Sequence, residues 1–309
     1  MHSMNKTLSV VVPCFNEESC VRPFAKAVRE VLPDRAIEFV FVDDGSTDGT
    51  LAQVKALADE FPDVHFVSFS RNFGKEAALL AGLRHATGDF VVTMDADLQD
   101  PPNLLPEMLA ALESGEFQCA ATRRVSRTGE PPIRSWFARR FYWIMNRWSD
   151  VEVVDGARDY RMMTRQAVEA VLSLPEINRF TKGIYQWIGF KTKWLVFENV
   201  NRVAGETKWS FWKLFCYALD GILAFSTLPL QLTSVLGFSI CVLSLISLVF
   251  VVARRILLGD PVAGWASLVC IIIAFSGIQL FFIGVLGLYL AKTYREAKRR
   301  PMYVEREAR

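Results

Sequence analysis

The chain reads as an α/β domain with a largely parallel sheet, followed by a two-helix membrane hairpin. Three observations predict this. Four short β-rich runs, Leu8–Val12, Ile37–Val42, Val64–Phe69 and Asp89–Met94, alternate with segments of helical spacing, the pattern of βαβ units. No charged residue occurs from Gly221 to Ala253, nor from Pro261 to Ala291, and about 20 apolar residues suffice to span a bilayer. Finally, 51% of the 309 residues are hydrophobic, and the excess over a soluble domain is concentrated in those two stretches.

Taken in order, Leu8–Val12 is a buried strand closed by Pro13, and Cys14–Glu18 is the loop after it. Ser19–Leu32 has helical spacing, and Ile37–Val42 is the second strand. The loop from Asp43 to Thr50 is rich in acceptors, and Thr47 or Asp48 can cap a helix over Leu51–Phe61. Val64–Phe69 is the third strand, after which Arg71-Asn72-Phe73-Gly74-Lys75 leads into a helix over Glu76–His85. The fourth strand delivers Asp95-Ala96-Asp97-Leu98-Gln99-Asp100 and is stopped by Pro101-Pro102. Ligands on parallel sheets bind at the carboxyl ends of strands, so the loops Pro13–Glu17, Asp43–Asp48 and Asp95–Gln99 should converge. Two carboxylates one residue apart after a buried strand offer hard oxygen ligands to Mg²⁺ or Mn²⁺, which keep several waters and take substrate phosphate oxygens as well. An acidic turn without a metal is the competing reading.

Beyond Pro102, Leu104–Leu112 reads as a helix and Cys119–Thr122 as a strand ending in Arg123-Arg124. The segment Arg127–Arg147 is basic and aromatic, with Arg134, Trp136, Arg139, Arg140 and Trp143. Guanidiniums grip phosphate and aromatic rings suit a bilayer interface. Nucleic acid could use the same ingredients, but the uncharged stretches favour a membrane surface. Trp209–Phe225 reads as an amphipathic helix in the headgroup plane, ahead of spans at about 228–253 and 264–291. The tail carries Lys292, Arg295, Lys298, Arg299, Arg300, Arg306 and Arg309, which marks the cytoplasmic side. Two spans place the large N-terminal domain on that side too, and Arg254 and Arg255 fall to the short loop opposite. The net charge of +2 decides nothing by itself. Six scattered cysteines form no CxxC or Cys/His metal spacing, as expected of a reducing compartment, and three isolated histidines read as surface or packing residues. No signal peptide is evident before Leu8.

Three motifs, Val12-Pro13-Cys14-Phe15-Asn16-Glu17-Glu18, Val42-Asp43-Asp44-Gly45-Ser46-Thr47-Asp48 and Asp95-Ala96-Asp97-Leu98-Gln99-Asp100-Pro101, resemble the signatures of family-2 glycosyltransferases of GT-A fold. More narrowly, the chain resembles the polyprenyl-phosphate glycosyltransferases, the branch of dolichol-phosphate mannose synthase and bacterial undecaprenyl-phosphate glucosyltransferases. The resemblance covers nearly the whole chain. It implies a GT-A nucleotide-diphospho-sugar transferase domain over about residues 1–225, with the membrane hairpin and basic tail in 226–309. It implies transfer with inversion, from a nucleotide sugar such as UDP-glucose to undecaprenyl phosphate, with Mg²⁺ or Mn²⁺.

The resemblance also assigns roles. Pro13, Phe15, Glu17 and Asp44 match nucleoside-binding positions, while Asp95, Asp97 and Gln99 match those of the metal and diphosphate. Helix capping is the alternative for Glu17 and the favoured reading for Asp48. Arg123 and Arg134 match arginines that meet the lipid phosphate, although several arginines compete for the second place. Asp159 and Arg161 match an acceptor-side Asp-x-Arg, and Arg202 to Lys208 matches Arg-x-x-Gly-x-Ser-Lys with Thr207 for serine. Asp159 can act as a base or orient a neighbouring arginine. Orientation is the expectation, because a phosphate monoester ionises near pH 6 without help. Relatives suggest an inner-membrane enzyme with its catalytic domain in the cytoplasm, assembled as a homo-oligomer, a tetramer by resemblance. Competing readings are another donor (a modified arabinose or mannose), a processive polysaccharide synthase, or a non-catalytic nucleotide-sugar sensor. The synthase would need Gln-x-x-Arg-Trp, which Gln186-Trp187 does not supply, and the intact Asp-x-Asp argues against a sensor.

Overall fold

A computed structural model describes residues 6–124, 147, 154, 156–197, 226–258 and 264–309. The first half alternates as expected: β1 (Leu8–Cys14), α1 (Val21–Val31), β2 (Ile37–Asp43), α2 (Thr50–Glu60), β3 (Val64–Phe69), α3 (Lys75–His85) and β4 (Phe90–Thr93). A 3₁₀ turn at Pro102–Leu104 leads into α4 (Leu105–Glu113). There follow β5 (Cys119–Arg124), β6 (Ala157–Thr164), α5 (Arg165–Ser173), α6 (Thr181–Trp187) and β7 (Thr192–Phe197). Two long helices, α7 (Leu228–Leu258) and α8 (Trp265–Lys298), precede a last strand, β8 (Glu305–Ala308). The basic aromatic segment with Arg134, the segment with Arg202 and Lys208, and the interfacial helix expected over 209–225 lie outside the described residues.

The strands form one sheet in the order β7-β5-β6-β4-β1-β2-β3-β8. β3, β2, β1 and β4 run parallel, and β6 lies antiparallel between β4 and β5. The chain steps from β1 through β2 to β3 on one side, then returns to place β4 on the other. That reversal opens a crevice at the carboxyl ends of β1 and β4, where α/β sheets bind ligands. Burial explains the strands. Every residue of β2 is buried, because helices cover both sheet faces and successive side chains enter different cores. Val10, Val12, Phe39 and Phe41 meet Phe24, Val54 and Met108 on one face; Val11, Val40 and Val42 meet Ala77, Ala81 and Val168 on the other. Helix α3 lies very close to β1, since a Cβ at Gly82 would come within 2.2 Å of Val11 Cγ1.

The end of the chain, read from sequence as a basic tail, carries regular structure. Lys292, Arg295 and Lys298 continue helix α8, which ends at Arg299 in a left-handed conformation (φ 48°). The chain then turns back, and β8 pairs antiparallel with β3. Phe66 N and Arg309 O bond at 3.0 Å, and Ser70 N and Val304 O at 3.0 Å. Tyr303 stacks on Phe69 at 4.8 Å, Glu307 pairs with Lys55 at 2.6 Å, and Glu305 meets His85 at 3.0 Å. Strand β3 would otherwise expose an unpaired edge. The last strand of the α/β sheet thus comes from beyond the two long helices. Arg254 and Arg255 fall within α7, not in the connecting loop.

Helices α7 and α8 have 31 and 34 residues, roughly 46 and 51 Å at about 1.5 Å per residue, against about 30 Å of bilayer hydrocarbon. Leu228–Ser247 and Ile271–Lys298 are long and apolar enough to cross a membrane, and among the described residues nothing buries them. Phe238, Leu243, Phe250, Leu280 and Phe281 stand exposed.

Because Tyr303 staples β8 to the edge of β3, Tyr303→Ala should lower stability by about 1–2 kcal/mol, the scale of a lost aromatic pair with its partly buried area. Thermal unfolding of the full-length protein in detergent checks this; an unchanged midpoint would mean that the strand is not a stabilising element.

Candidate active site

The β1 and β2 loops are laced together. Asn16, at a positive φ of 56°, accepts through Oδ1 from Thr47 N at 2.8 Å, while its own N donates to Ser46 Oγ at 3.0 Å. Glu17 N donates to Thr50 Oγ1 at 2.8 Å, and Gly49 N to Glu18 Oε2 at 3.1 Å. Gly49, not Asp48, is the N-cap of α2, and Asp48 instead accepts from Thr50 N at 3.0 Å in a local bond at the helix entry. Hydrogen bonds from Thr50 and Glu18 outweigh the burial that would raise its carboxyl and hold it below the ordinary range. β1 runs through Pro13 to Cys14, past the stop expected at the proline, because Pro13 and Cys14 stay in register with Val42 and Asp43 of β2. Phe15 beyond it is exposed.

Asp43 and Asp44 reach in different directions. Asp43 accepts from Ser46 N at 3.1 Å and from Ser68 Oγ at 2.9 Å. Asp44 accepts from Phe73 N at 2.6 Å and Gly74 N at 2.9 Å. The position matched to nucleoside binding is thus a buried brace holding the loop after β3. Burial raises the Asp44 carboxyl, and the two N–H donors only partly offset it. Gly45, at φ 66°, admits the Arg71 backbone to within 2.4 Å of where a Cβ would sit, so another residue would push that loop away.

The braced loop delivers Lys75 as the first residue of α3, and this is the residue that sequence reasoning missed. Its Nζ lies 2.6 Å from Asp95 Oδ1 and 2.9 Å from Asp159 Oδ2. Read from sequence, Lys75 was only the entry to a helix. The available signal was its position at the carboxyl end of a third parallel strand, on the edge where the other loops converge. Asp159 comes from β6, which runs antiparallel beside β4 with Thr93 opposite Arg161. Burial would raise the Asp159 carboxyl, but Lys75, Lys182 and Arg158 overcome it and hold it well below the usual carboxylate range. Burial likewise opposes the Lys75 charge, yet Asp159 and Asp95 hold its pKa well above that of an ordinary lysine.

After Asp95 the chain makes a tight turn. Asp97 Oδ1 accepts from Gln99 N at 3.1 Å, and Leu98 between them adopts φ 57°. A left-handed leucine costs roughly 1–2 kcal/mol, and strain of this kind concentrates at functional loops. The turn is fastened to β6 from the opposite sheet face. Arg158 pairs with buried Asp100 at 3.3 Å, and Tyr160 OH donates to Pro101 O at 3.2 Å. Burial, then the nearby Asp95 charge, push the Asp100 carboxyl up to about 6 against the pull of Arg158.

Arg161 does not line an open acceptor surface. It is 2% exposed, with its guanidinium 4.5 Å from the Tyr185 ring and 5.5 Å from that of Trp194. Arg123 stands exposed at the end of β5, opposite Ala157 of β6 and on the same sheet edge as Asp95 and Asp159. The structure therefore gathers Asp95, Asp97, Gln99, Asp159 and Arg123 at one edge and ties the Glu17 loop to the Asp44 loop.

Among the described residues no group of three His, Cys, Asp or Glu side chains is arranged to hold a metal ion. Asp95 and Asp97 still fit Mg²⁺ or Mn²⁺, which bind through one or two carboxylates and leave positions for water and substrate phosphate. A closed protein cage would leave no such positions.

The chain belongs to glycosyl transferase family 2, whose model matches residues 9–172, and it is a glycosyltransferase. Within that family it stands in the polyprenyl-phosphate glycosyltransferase branch. It is 40% identical over 299 residues to a prophage bactoprenol glucosyl transferase homolog of Escherichia coli, covering 96% of this chain and 97% of that protein. It is equally similar, 40% over 299 residues, to a prophage-derived bactoprenol glucosyl transferase of Shigella flexneri, covering 96% of each. An uncharacterized glycosyltransferase of Synechocystis is 41% identical over 303 residues, 97% of this chain and 95% of the other. A solved structure of glucosyl-3-phosphoglycerate synthase from Mycobacterium tuberculosis is 20% identical, with a TM-score of 0.48, over 71% of this chain and 78% of that one.

Replacing Lys75 with methionine removes the cation that the structure pairs directly with both Asp95 and Asp159. Transfer kcat/KM should fall more than about tenfold, or about 1.4 kcal/mol of transition-state stabilisation, with Lys75→Arg intermediate. Steady-state kinetics decide, and an unchanged kcat/KM in Lys75→Met contradicts the role.

Proposed function

We propose that the protein transfers glucose, with inversion, from UDP-glucose to the phosphate of a polyprenyl lipid such as undecaprenyl phosphate. The observation that supports this most is the similarity to bactoprenol glucosyl transferases along nearly the whole chain, sheet and long helices together. The geometry agrees with it. Acidic groups for a nucleotide diphosphate and cationic groups for a lipid phosphate meet at one edge of a sheet whose chain continues into two apolar helices.

Asp95 and Asp97, with Gln99, are the residues that would hold Mg²⁺ or Mn²⁺ and the donor diphosphate. Such an ion, when bound, neutralises charge developing on the departing diphosphate. Pro13, Phe15 and Glu17 face the nucleoside, and Asp44 shapes that end by holding the Phe73–Gly74 loop. Arg123 meets the lipid phosphate together with Arg134, Arg202 and Lys208. Arg161 supports the strand of Asp159 from inside.

The acceptor needs no strong base, since a phosphate monoester has its second pKa near 6. Asp159 is suited to another task, being held ionised by Lys75, Lys182 and Arg158. It keeps Lys75 directed between itself and Asp95, so that a cation stands where an anionic donor and an anionic acceptor must approach.

The membrane reading follows the path of the chain. The sheet gives rise to α7 and α8 and receives the chain back as β8. If both helices cross, both ends of the hairpin lie on one side, which the basic residues mark as the cytoplasm. Assembly as a homo-oligomer is part of the same reading by relationship.

The test is incubation of the purified full-length protein with undecaprenyl phosphate and a panel of radiolabelled nucleotide sugars. Label from UDP-glucose should pass into the lipid extract, excess EDTA should abolish transfer, and Asp97→Asn should lower it by about a hundredfold or more. Undiminished turnover in EDTA contradicts the metal site; lipid labelled from a different nucleotide sugar alone contradicts the donor.

A further inference from the structure

Helix α8 does not simply leave the membrane and stop. It runs unbroken to Lys298 and carries one acidic residue, Glu296, close to its polar end. That carboxylate is directed at the catalytic domain. Oε1 and Oε2 accept from Ile177 N at 3.0 and 3.1 Å, and Oε1 also accepts from Asn178 N at 2.9 Å and Asn178 Nδ2 at 3.0 Å. Asn178 Nδ2 also lies 3.3 Å from Lys292 O, one turn earlier on the same helix. Two backbone N–H groups and a side-chain amide on a carboxylate make a charge-assisted anchor, stronger and more directional than an apolar contact.

The anchored loop leads directly to the active site. Arg179, almost fully buried, donates to Leu174 O at 2.9 Å and Val171 O at 3.1 Å, pinning the loop to the end of α5. Two residues on, Thr181 starts α6 by donating its N at 3.1 Å, and its hydroxyl, to Glu76 Oε2. Glu76 follows Lys75 in the first turn of α3, and Lys182 follows Thr181 and bears on Asp159. A short run of hydrogen-bonded residues thus joins the end of a membrane helix to the cation between Asp95 and Asp159. Strand β8 holds the same helix end from the other side through β3.

We infer that Glu296 is a positioning residue that fixes the catalytic site at a set height and tilt above the bilayer, so that a membrane-held lipid phosphate meets the donor. This rests on the polyprenyl-phosphate reading above. A lipid phosphate is confined to the headgroup plane and cannot follow a domain that tilts, whereas a soluble donor can. A misplacement of about 1 Å between reacting groups can cost about a hundredfold in rate.

The experiment compares wild type, Glu296→Ala and Glu296→Gln as full-length proteins with two acceptors. One is undecaprenyl phosphate in liposomes; the other is a short prenyl phosphate, free to diffuse, presented in detergent. Glu296→Ala should lose about tenfold or more of kcat/KM for the bilayer acceptor. Its KM for UDP-glucose and its transfer to the short acceptor should stay within about twofold of wild type. Glu296→Gln keeps one acceptor oxygen and should recover part of the loss. Equal losses on both acceptors, or no loss on either, overturn the positioning role and leave the parent reading intact. A wild-type protein that modifies neither acceptor overturns the parent reading, and the inference falls with it.

Discussion

The ammonium of Lys75 between Asp95 and Asp159 is the contact on which the rest of the site depends. Its two ion pairs are about one-third exposed, and pairs of that kind contribute about 0–1 kcal/mol of stability each. Their importance is therefore placement. To bring Lys75 there the fold uses the Asp44 carboxylate on Phe73 and Gly74, the open backbone position at Gly45, and the close seating of α3 on β1 at Gly82. Each is a local constraint written into residues far from the reacting centre.

The same logic explains the strained turns. Asn16 and Leu98 both take left-handed conformations, and both lie in loops at the carboxyl edge of the sheet. Asparagine visits that conformation more readily than most residues, and here its side chain is also held by Thr47 of the loop after β2. Leucine has no such compensation, so the Asp95–Asp100 turn must be held from outside. The Asp100–Arg158 pair and the Tyr160 hydroxyl on Pro101 do this from β6. One strand thus supplies Asp159 on one face and the clamp for the Asp95–Asp100 turn on the other.

Much of this was legible from the residues alone. β-Branched runs at the spacing of βαβ units placed four parallel strands within a residue or two, and their carboxyl ends located the acidic loops. The uncharged stretches located both long helices. What escaped was long-range. Nothing local in Glu305–Ala308 distinguishes an edge strand from a solvated tail, because its partner β3 lies more than two hundred residues away in sequence. Lys75 read as a helix entry because its partners come from β4 and β6. Asp44 matched a ligand position by motif, yet its burial and its bonds to Phe73 and Gly74 emerge only once β2 and β3 are paired.

The mechanism proposed for this site is electrostatic. In it, cations whose carboxylate partners stay ionised bring a dianionic acceptor to an anionic donor, and the acceptor's own second ionisation forms the nucleophile. The most direct test is the pH dependence of kcat/KM for wild type with a polyprenyl phosphate and with its phosphonate analogue, whose second ionisation lies higher. Activity should rise with pH through the acceptor's own pKa, near 6 for the phosphate, then level off, and the rising limb should move upward with the phosphonate. A limb that stays at the same pH for both acceptors would assign it to a carboxylate of the enzyme acting as base, and would contradict this mechanism.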